Sequence, residues 1–214
     1  MNLRIIVRAG VATALFAAAL PALAGAQKEE QLSQSVVSGL AKAIADAPVP
    51  ANYASRPEVA RWIGEMSRRI AHKVDTDRER TELLATTHYE SLRAGLDPQI
   101  VLAVMYHESG FKKYAFSSAQ ARGYMQVMPF WVKQIGSPDQ NLFNLRTNLR
   151  YGTVILRHYL DLENGDYYRA LGRYNGSLGQ AEYPTAVLAA LNRHFAYTPS
   201  APAAIISVAV PAPR

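Results

Sequence analysis

The 214-residue sequence predicts a mainly α-helical protein. Apolar residues recur at helical spacing in one stretch after another, with Gly and Pro between the stretches. No segment alternates apolar and polar residues for long enough to build a sheet. The third observation is the stretch 97–131, around which the rest is arranged. Asp97 is a good N-cap and Pro98 suits a first helical position. Residues 100–105 then run Ile-Val-Leu-Ala-Val-Met without a polar break. A helix that is apolar all round belongs in a core. His107, Glu108 and Ser109 arrive together at its end, and Gly110 can take the left-handed conformation that stops a helix.

Taken in order, residues 1–26 read as an export signal. Arg4 and Arg8 give a basic start, residues 5–20 are almost wholly apolar, and Pro21 to Ala26 offer small-residue cleavage sites. The apolar stretch is short for a membrane anchor, which needs about 20 apolar residues. There is no Cys, which excludes a lipid-modified N-terminal cysteine and all disulfides. The expected location is the periplasm.

Residues 27–55 read as an amphipathic helix and a Pro-rich linker. Leu32, Val36, Leu40 and Ile44 lie at i, i+4 spacing within 28–46, and Ala47-Pro48-Val49-Pro50 breaks the pattern. A helical domain is expected over 56–198. Its first helix starts near Pro57 and carries Val59, Trp62, Ile63, Met66 and Ile70 on one face. Asp75-Thr76-Asp77 interrupts it. The next spans 78–94, with Leu83, Leu84, Thr87 and Leu92 on its stripe and Gly95 at its end. After the 97–110 helix, residues 112–124 are polar and small and read as a loop with a hairpin-like turn. Such a loop is where binding residues concentrate.

Residues 126–136 read as a helix interrupted in its first turn by Pro129. Residues 142–160 are strongly amphipathic. Gly152 inside that helix costs about 1 kcal/mol relative to Ala, which close packing against the 97–110 helix would explain. Helices at 166–175 and 183–195 follow. Residues 199–214 read as a loose Ala/Pro tail, with a short strand at 205–208 as one option.

The formal charge is +6, leaving +4 once Arg4 and Arg8 are removed with the signal. That suits an acidic polymer such as a bacterial wall, and equally serves plain solubility. Nucleic acid is a poor partner, because the basic residues are scattered and an exported chain does not meet the genome. His107-Glu108 begins like the zinc motif H-E-x-x-H, but position 111 is Phe. With the other histidines scattered and no Cys, no metal is expected. No cofactor is implied, and no nucleophile elbow is present.

Glu108 is the foremost candidate for chemistry. Apolar surroundings disfavour its charge, and the helix macrodipole adds partial negative charge at this end. Both should raise its pKa above the reference of about 4.3. A carboxyl group kept neutral near neutral pH can act as a general acid. The plain alternative is a core-edge glutamate paired with an arginine.

Three pieces, Glu108-Ser109-Gly110-Phe111, Ser117 followed by Gly123-Tyr124-Met125-Gln126-Val127-Met128-Pro129, and Tyr174-Asn175-Gly176, together resemble the signature of the soluble lytic transglycosylases. Asn148 and Gly152 also fit, and the likeness covers roughly residues 80–195. Tyr124 stands where Leu is usual, Gln120 and Arg122 where Gly and Gln are usual, and Arg173 where a small residue is usual. These departures bear on the shape of the sugar subsites.

The resemblance implies a lysozyme-like α-helical domain with at most a small β element beside the cleft. It implies Glu108 as the catalytic acid and Tyr174 with its hydroxyl near that carboxyl, an ordinary buried Tyr being the alternative. Asn175 would position the turn after Tyr174. Ser109 and Ser117 are candidate contacts to sugar hydroxyls or an N-acetyl group, with a helix-terminal hydrogen bond as the other role for Ser109. Gln126 can offer donor and acceptor to an acetamido group, and Gly123 allows close backbone approach. Tyr124 can stack on a sugar, while Met125 fills core.

The implied substrate is the glycan strand of peptidoglycan, attacked by a monomer with at most peripheral contact to wall or membrane. Hydrolysing glycosidases usually need two carboxylates. Between Glu108 and Pro138 there is no other Asp or Glu. That favours cleavage without water, to 1,6-anhydromuramic ends. A hydrolase of the same fold and an inactive wall-binding or secretion-assembly protein stay open as rivals.

Overall fold

The computed structural model describes residues 27–45 and 47–198. The expected signal segment, the expected tail and its optional strand lie outside the described residues. Eight α-helices and a terminal wide turn of π type make up the described chain. They are α1 Gln34–Ala43, α2 Pro57–Ile70, α3 Asp77–Arg93, α4 Pro98–Glu108, α5 Pro129–Ile135, α6 Leu145–Leu162, α7 Tyr167–Asn175 and α8 Glu182–Ala190, with the π turn at Leu191–Phe195. The only β geometry among the described residues is two single antiparallel bridges, Phe116 with Arg122 and Arg122 with Val127. This is the small β element expected in the 112–124 loop, and the architecture is the helical one the lysozyme-like reading requires.

The capping chemistry is local and legible. Ser33, Thr76, Asp97, Asn144 and Asp166 each accept a hydrogen bond from a backbone N–H in the first turn that follows. Pro57, Pro98 and Pro129 each occupy a first turn, where no N–H is needed. Two boundaries and one side chain differ from the expectation. Residues 126–128 are not helical, because Gln126 takes a left-handed φ of 48° and the helix begins at Pro129 instead of being interrupted by it. Helix α1 is shorter than 28–46, because residues 27–33 are not helical and Ser33 caps a helix that starts at Gln34. Leu92 sits on the solvent side of α3, 54% exposed.

Helix α4 is the centre of the core. Val101, Leu102, Ala103, Val104 and Met105 are fully buried, between α3 on one side and α8 with the π turn on the other. Helix α6 closes the far side against α3 and α7. Gly152 of α6 does mark a close approach, but its neighbour is Met125 of the loop after α4, not α4 itself. A Cβ there would lie 2.3 Å from the Met125 sulfur and 2.7 Å from its Cβ.

The N-terminal part packs onto this frame. Arg150 Nη2 meets Glu90 Oε1 at 2.6 Å, and the guanidinium also donates to the carbonyls of Ala45 and Ala47. Arg93 adds donations to the carbonyls of Ala43 and Ala45. Ahead of α1, Trp131 Nε1 donates to Gln27 at 3.0 Å and Gln134 donates to the Glu30 carbonyl at 3.1 Å. Among the described residues no helix is long and apolar enough to cross a membrane.

The contact at Gly152 makes a test. Gly152→Ala gains helix propensity but drives a methyl group into Met125, and overpacking of this kind costs about 1–3 kcal/mol. Urea unfolding should show a net loss of stability, where an exposed helical Gly→Ala would show a gain.

Candidate active site

The site grows from the end of α4. Glu108 is the last helical residue and is 6% exposed. Its Oε1 accepts a hydrogen bond from the Tyr183 hydroxyl at 2.6 Å, while Oε2 is buried with no partner among the described residues. Burial pushes the Glu108 carboxyl up to about 8, against a smaller opposing effect of the Tyr183 hydrogen bond. Burial is the dominant cause, and no charged side chain contributes. Near neutral pH the group therefore holds a proton. With Tyr183 donating to Oε1, that proton belongs on Oε2.

The loop after α4 is held against it by three polar side chains. Ser109 Oγ donates to the Tyr124 carbonyl at 2.7 Å and accepts from the Phe111 N–H at 3.1 Å. Asn148, on α6, accepts from the Met125 N–H and donates to the carbonyls of Arg122 and Leu142, each at 2.8 Å. Gln126 folds back to donate to the carbonyls of Ala115 and Gly123, both at 3.1 Å. Gly123 has φ 73°, and a Cβ on it would fall 2.5 Å from the Asn148 amide nitrogen. Only glycine fits there on both counts.

Several candidates thus take up framework positions. The Ser109 hydroxyl serves the helix end, the alternative the sequence left open. Ser117 Oγ accepts from the Ala121 N–H at 3.1 Å inside the bridged loop. The donors of Gln126 are spent on backbone. Met125 is fully buried beside Gly152, as a core filler. Tyr124 is half-buried, its phenol pushed up to about 12 by burial and by the charges of Glu79 and Glu82.

The stretch that carries these residues is similar to known proteins. Residues 86–186, from the middle of α3 to the middle of α8, match the family profile described as Transglycosylase SLT domain. That stretch is similar to an SLT transglycosylase domain. Relatives are distant. A transglycosylase of Enterobacteria phage PRD1 is 34% identical over 93 residues, 44% of this chain and 34% of the relative. Membrane-bound lytic murein transglycosylase C of Photorhabdus laumondii is 30% identical over 119 residues, 48% of this chain and 33% of its own. The same-named protein of Salmonella typhimurium is 30% identical over 123 residues. The chain thus spans about a third of the length of these relatives.

Within the matched stretch the tyrosines divide differently from the expectation. Tyr174 is fully buried near Glu108, whose charge helps raise its pKa after burial itself. Its hydroxyl, however, donates to the Met125 carbonyl at 2.8 Å. The hydroxyl on the carboxyl belongs to Tyr183, which the sequence reading passed over. Burial and the Glu108 charge keep Tyr183 well above the usual tyrosine range, so it remains a donor. Asn175 ends α7, buried, before Gly176 turns left-handed at φ 81°. That turn brings α8 back onto α4. There His107, whose pKa burial lowers, donates from Nε2 to the Ala186 carbonyl at 3.0 Å. The one sequence hint for Tyr183 was its place on the face of the last helix, one turn before buried Val187. Among the described residues no group of His, Asp and Glu is arranged to hold a metal.

Glu108 couples stability to pH. Its folded pKa, about 8, lies above the ordinary 4.5, so the fold holds this proton more tightly than the unfolded chain does. That stabilisation is complete below about pH 4.5 and is lost as pH rises through about 8. Glu108→Gln cannot ionise. Its stability relative to the parent should therefore increase from about pH 5 to about pH 8 and level off above that in urea titrations.

Proposed function

We propose that this SLT-like domain is a peptidoglycan lytic transglycosylase. It would cleave the β-1,4 bond between N-acetylmuramic acid and N-acetylglucosamine, with Glu108 as single general acid and base. The observation that carries this reading is the buried Glu108 carboxyl, held neutral by burial and gripped on one oxygen by Tyr183. A neutral acid is what the departing sugar oxygen needs. A hydrolase would call for a second carboxylate as nucleophile or base. No acidic side chain contributes to the titration of Glu108.

With one acid, the substrate supplies the rest. The 2-acetamido oxygen of the muramic residue stabilises the cationic carbon. The C6 hydroxyl of the same sugar then attacks, and Glu108, now a carboxylate, takes the hydroxyl proton. Such substrate assistance is a known departure from the two-carboxylate scheme. The intramolecular attack gains from high effective molarity. The basic and apolar run of residues 1–26 supports export to the periplasm, where the wall lies.

Digestion of purified sacculi tests the reaction. The products should end in 1,6-anhydromuramic acid, lighter by one water than lysozyme products, and Glu108→Gln should lose more than about a hundredfold in rate. Reducing muramic ends carrying oxygen from labelled water would overturn it.

The pH profile tests the role of the acid. The parent should lose activity on the basic side near pH 8, as Glu108 deprotonates. The Tyr183 hydrogen bond favours the carboxylate. Tyr183→Phe should therefore move the basic limb to higher pH while lowering the maximal rate.

A further inference from the structure

An open cavity lies beyond the motif loop, outside the Glu108 site. It is a groove of about 880 Å³. The α1–α2 connection gives one wall with Val49, Pro50 and Ala54, α3 gives Arg78 and Glu82, and the first turn of α6 gives Arg146. The groove adjoins the site by two routes. Its α6 wall lies less than one turn before Asn148, which pins Met125. Its α3 wall carries Glu82, whose charge reaches the Tyr124 phenol. Between them stands Tyr114, 71% exposed, its ring 6.0 Å from that of Phe143, the residue before Asn144 on the groove wall.

The chemistry of the lining is unlike a sugar subsite. None of the lining residues is aromatic. One side is small and aliphatic, and the other carries charges of both signs. A neutral sugar gains little from such a surface, whereas an extended ligand with carboxylates and an ammonium group matches it. The peptide stem of peptidoglycan has that character, and it is joined as an amide to the lactyl group on O3 of the muramic residue, the same sugar whose C1 bond is cut.

We propose that this groove takes the peptide stem of the muramic residue lying in the cleft, with Arg78 facing stem carboxylates and Glu82 facing a stem ammonium. The proposal rests on the peptidoglycan reading of the Glu108 site, and its test separates the two. Arg78 and Glu82 are both exposed, and neither belongs to the Glu108 machinery.

The isolated stem tetrapeptide is titrated by NMR against Glu108→Gln, which needs no cleavage. Saturable shifts are expected at residues of the groove. Adding Arg78→Glu or Glu82→Lys should weaken the affinity roughly two- to fivefold, the size of an exposed charge contact. In parallel, the parent and the two single variants are assayed on intact sacculi and on strands stripped of stems by an amidase. The variants should be slowed by a similar factor on intact sacculi and unchanged on stripped strands. Absence of tetrapeptide binding, or equal loss on both substrates at unchanged melting temperature, overturns the proposal. Tetrapeptide bound in the groove of a protein that cleaves neither substrate would leave this inference standing and remove the proposed activity.

Discussion

One buried amide holds the site together. Asn148 satisfies the Met125 N–H and the carbonyls of Arg122 and Leu142, three backbone groups in segments of no regular structure. Left unpaired in the core, each would cost about 1–3 kcal/mol. With them paired, a loop without helix or strand lies at core density against α6. Gly123 and Gly152 are glycines for the same reason, since side chains there would collide with Asn148 and Met125. The fixed loop in turn presents the Tyr124 carbonyl to Ser109 and the Met125 carbonyl to Tyr174. The end of α4, the loop and α7 are thereby locked around Glu108.

Three buried glutamates show how environment sets chemistry. Glu90 faces Arg150 and Arg93, and it ties α1 and its connection to the core. Glu163 is held below the usual carboxylate range by Arg173 and Arg169. Glu108 has only a tyrosine hydroxyl, and burial drives it the other way. The first two sit in structural ion pairs. The third is a neutral acid with one oxygen unengaged, which is the state a proton donor needs.

The described residues ahead of α2 are part of the same body. Helix α1 rests on α5 and α6, and the segment before it reaches Trp131 and Gln134. Arginines from α3 and α6 collect the carbonyls that follow α1. The α1–α2 connection then becomes one wall of the charged groove. A stretch outside the SLT match thus shapes the surface beside the site.

The sequence alone determined the helices, their caps and the place of Glu108 at the end of an apolar helix. These follow from local spacing and from groups only two to four residues apart. Burial of α4 was readable for the same reason, since six apolar residues in a row leave no face for water. Which partners meet Glu108 was not readable. Tyr183 lies on α8, which packs against α4, whereas Tyr174 lies on α7, which packs against α6 and α8. Only the left-handed turn at Gly176 and the packing of α8 decide which hydroxyl arrives. The three bonds of Asn148 span up to 26 residues and the Arg150–Glu90 pair spans 60, distances over which spacing carries no signal. Gln126 looked helical and was not, because its amide satisfies two loop carbonyls only when its backbone turns left-handed. Local chemistry fixed the acid and its helix; the long-range closure of the chain made the pocket in which that acid stays protonated.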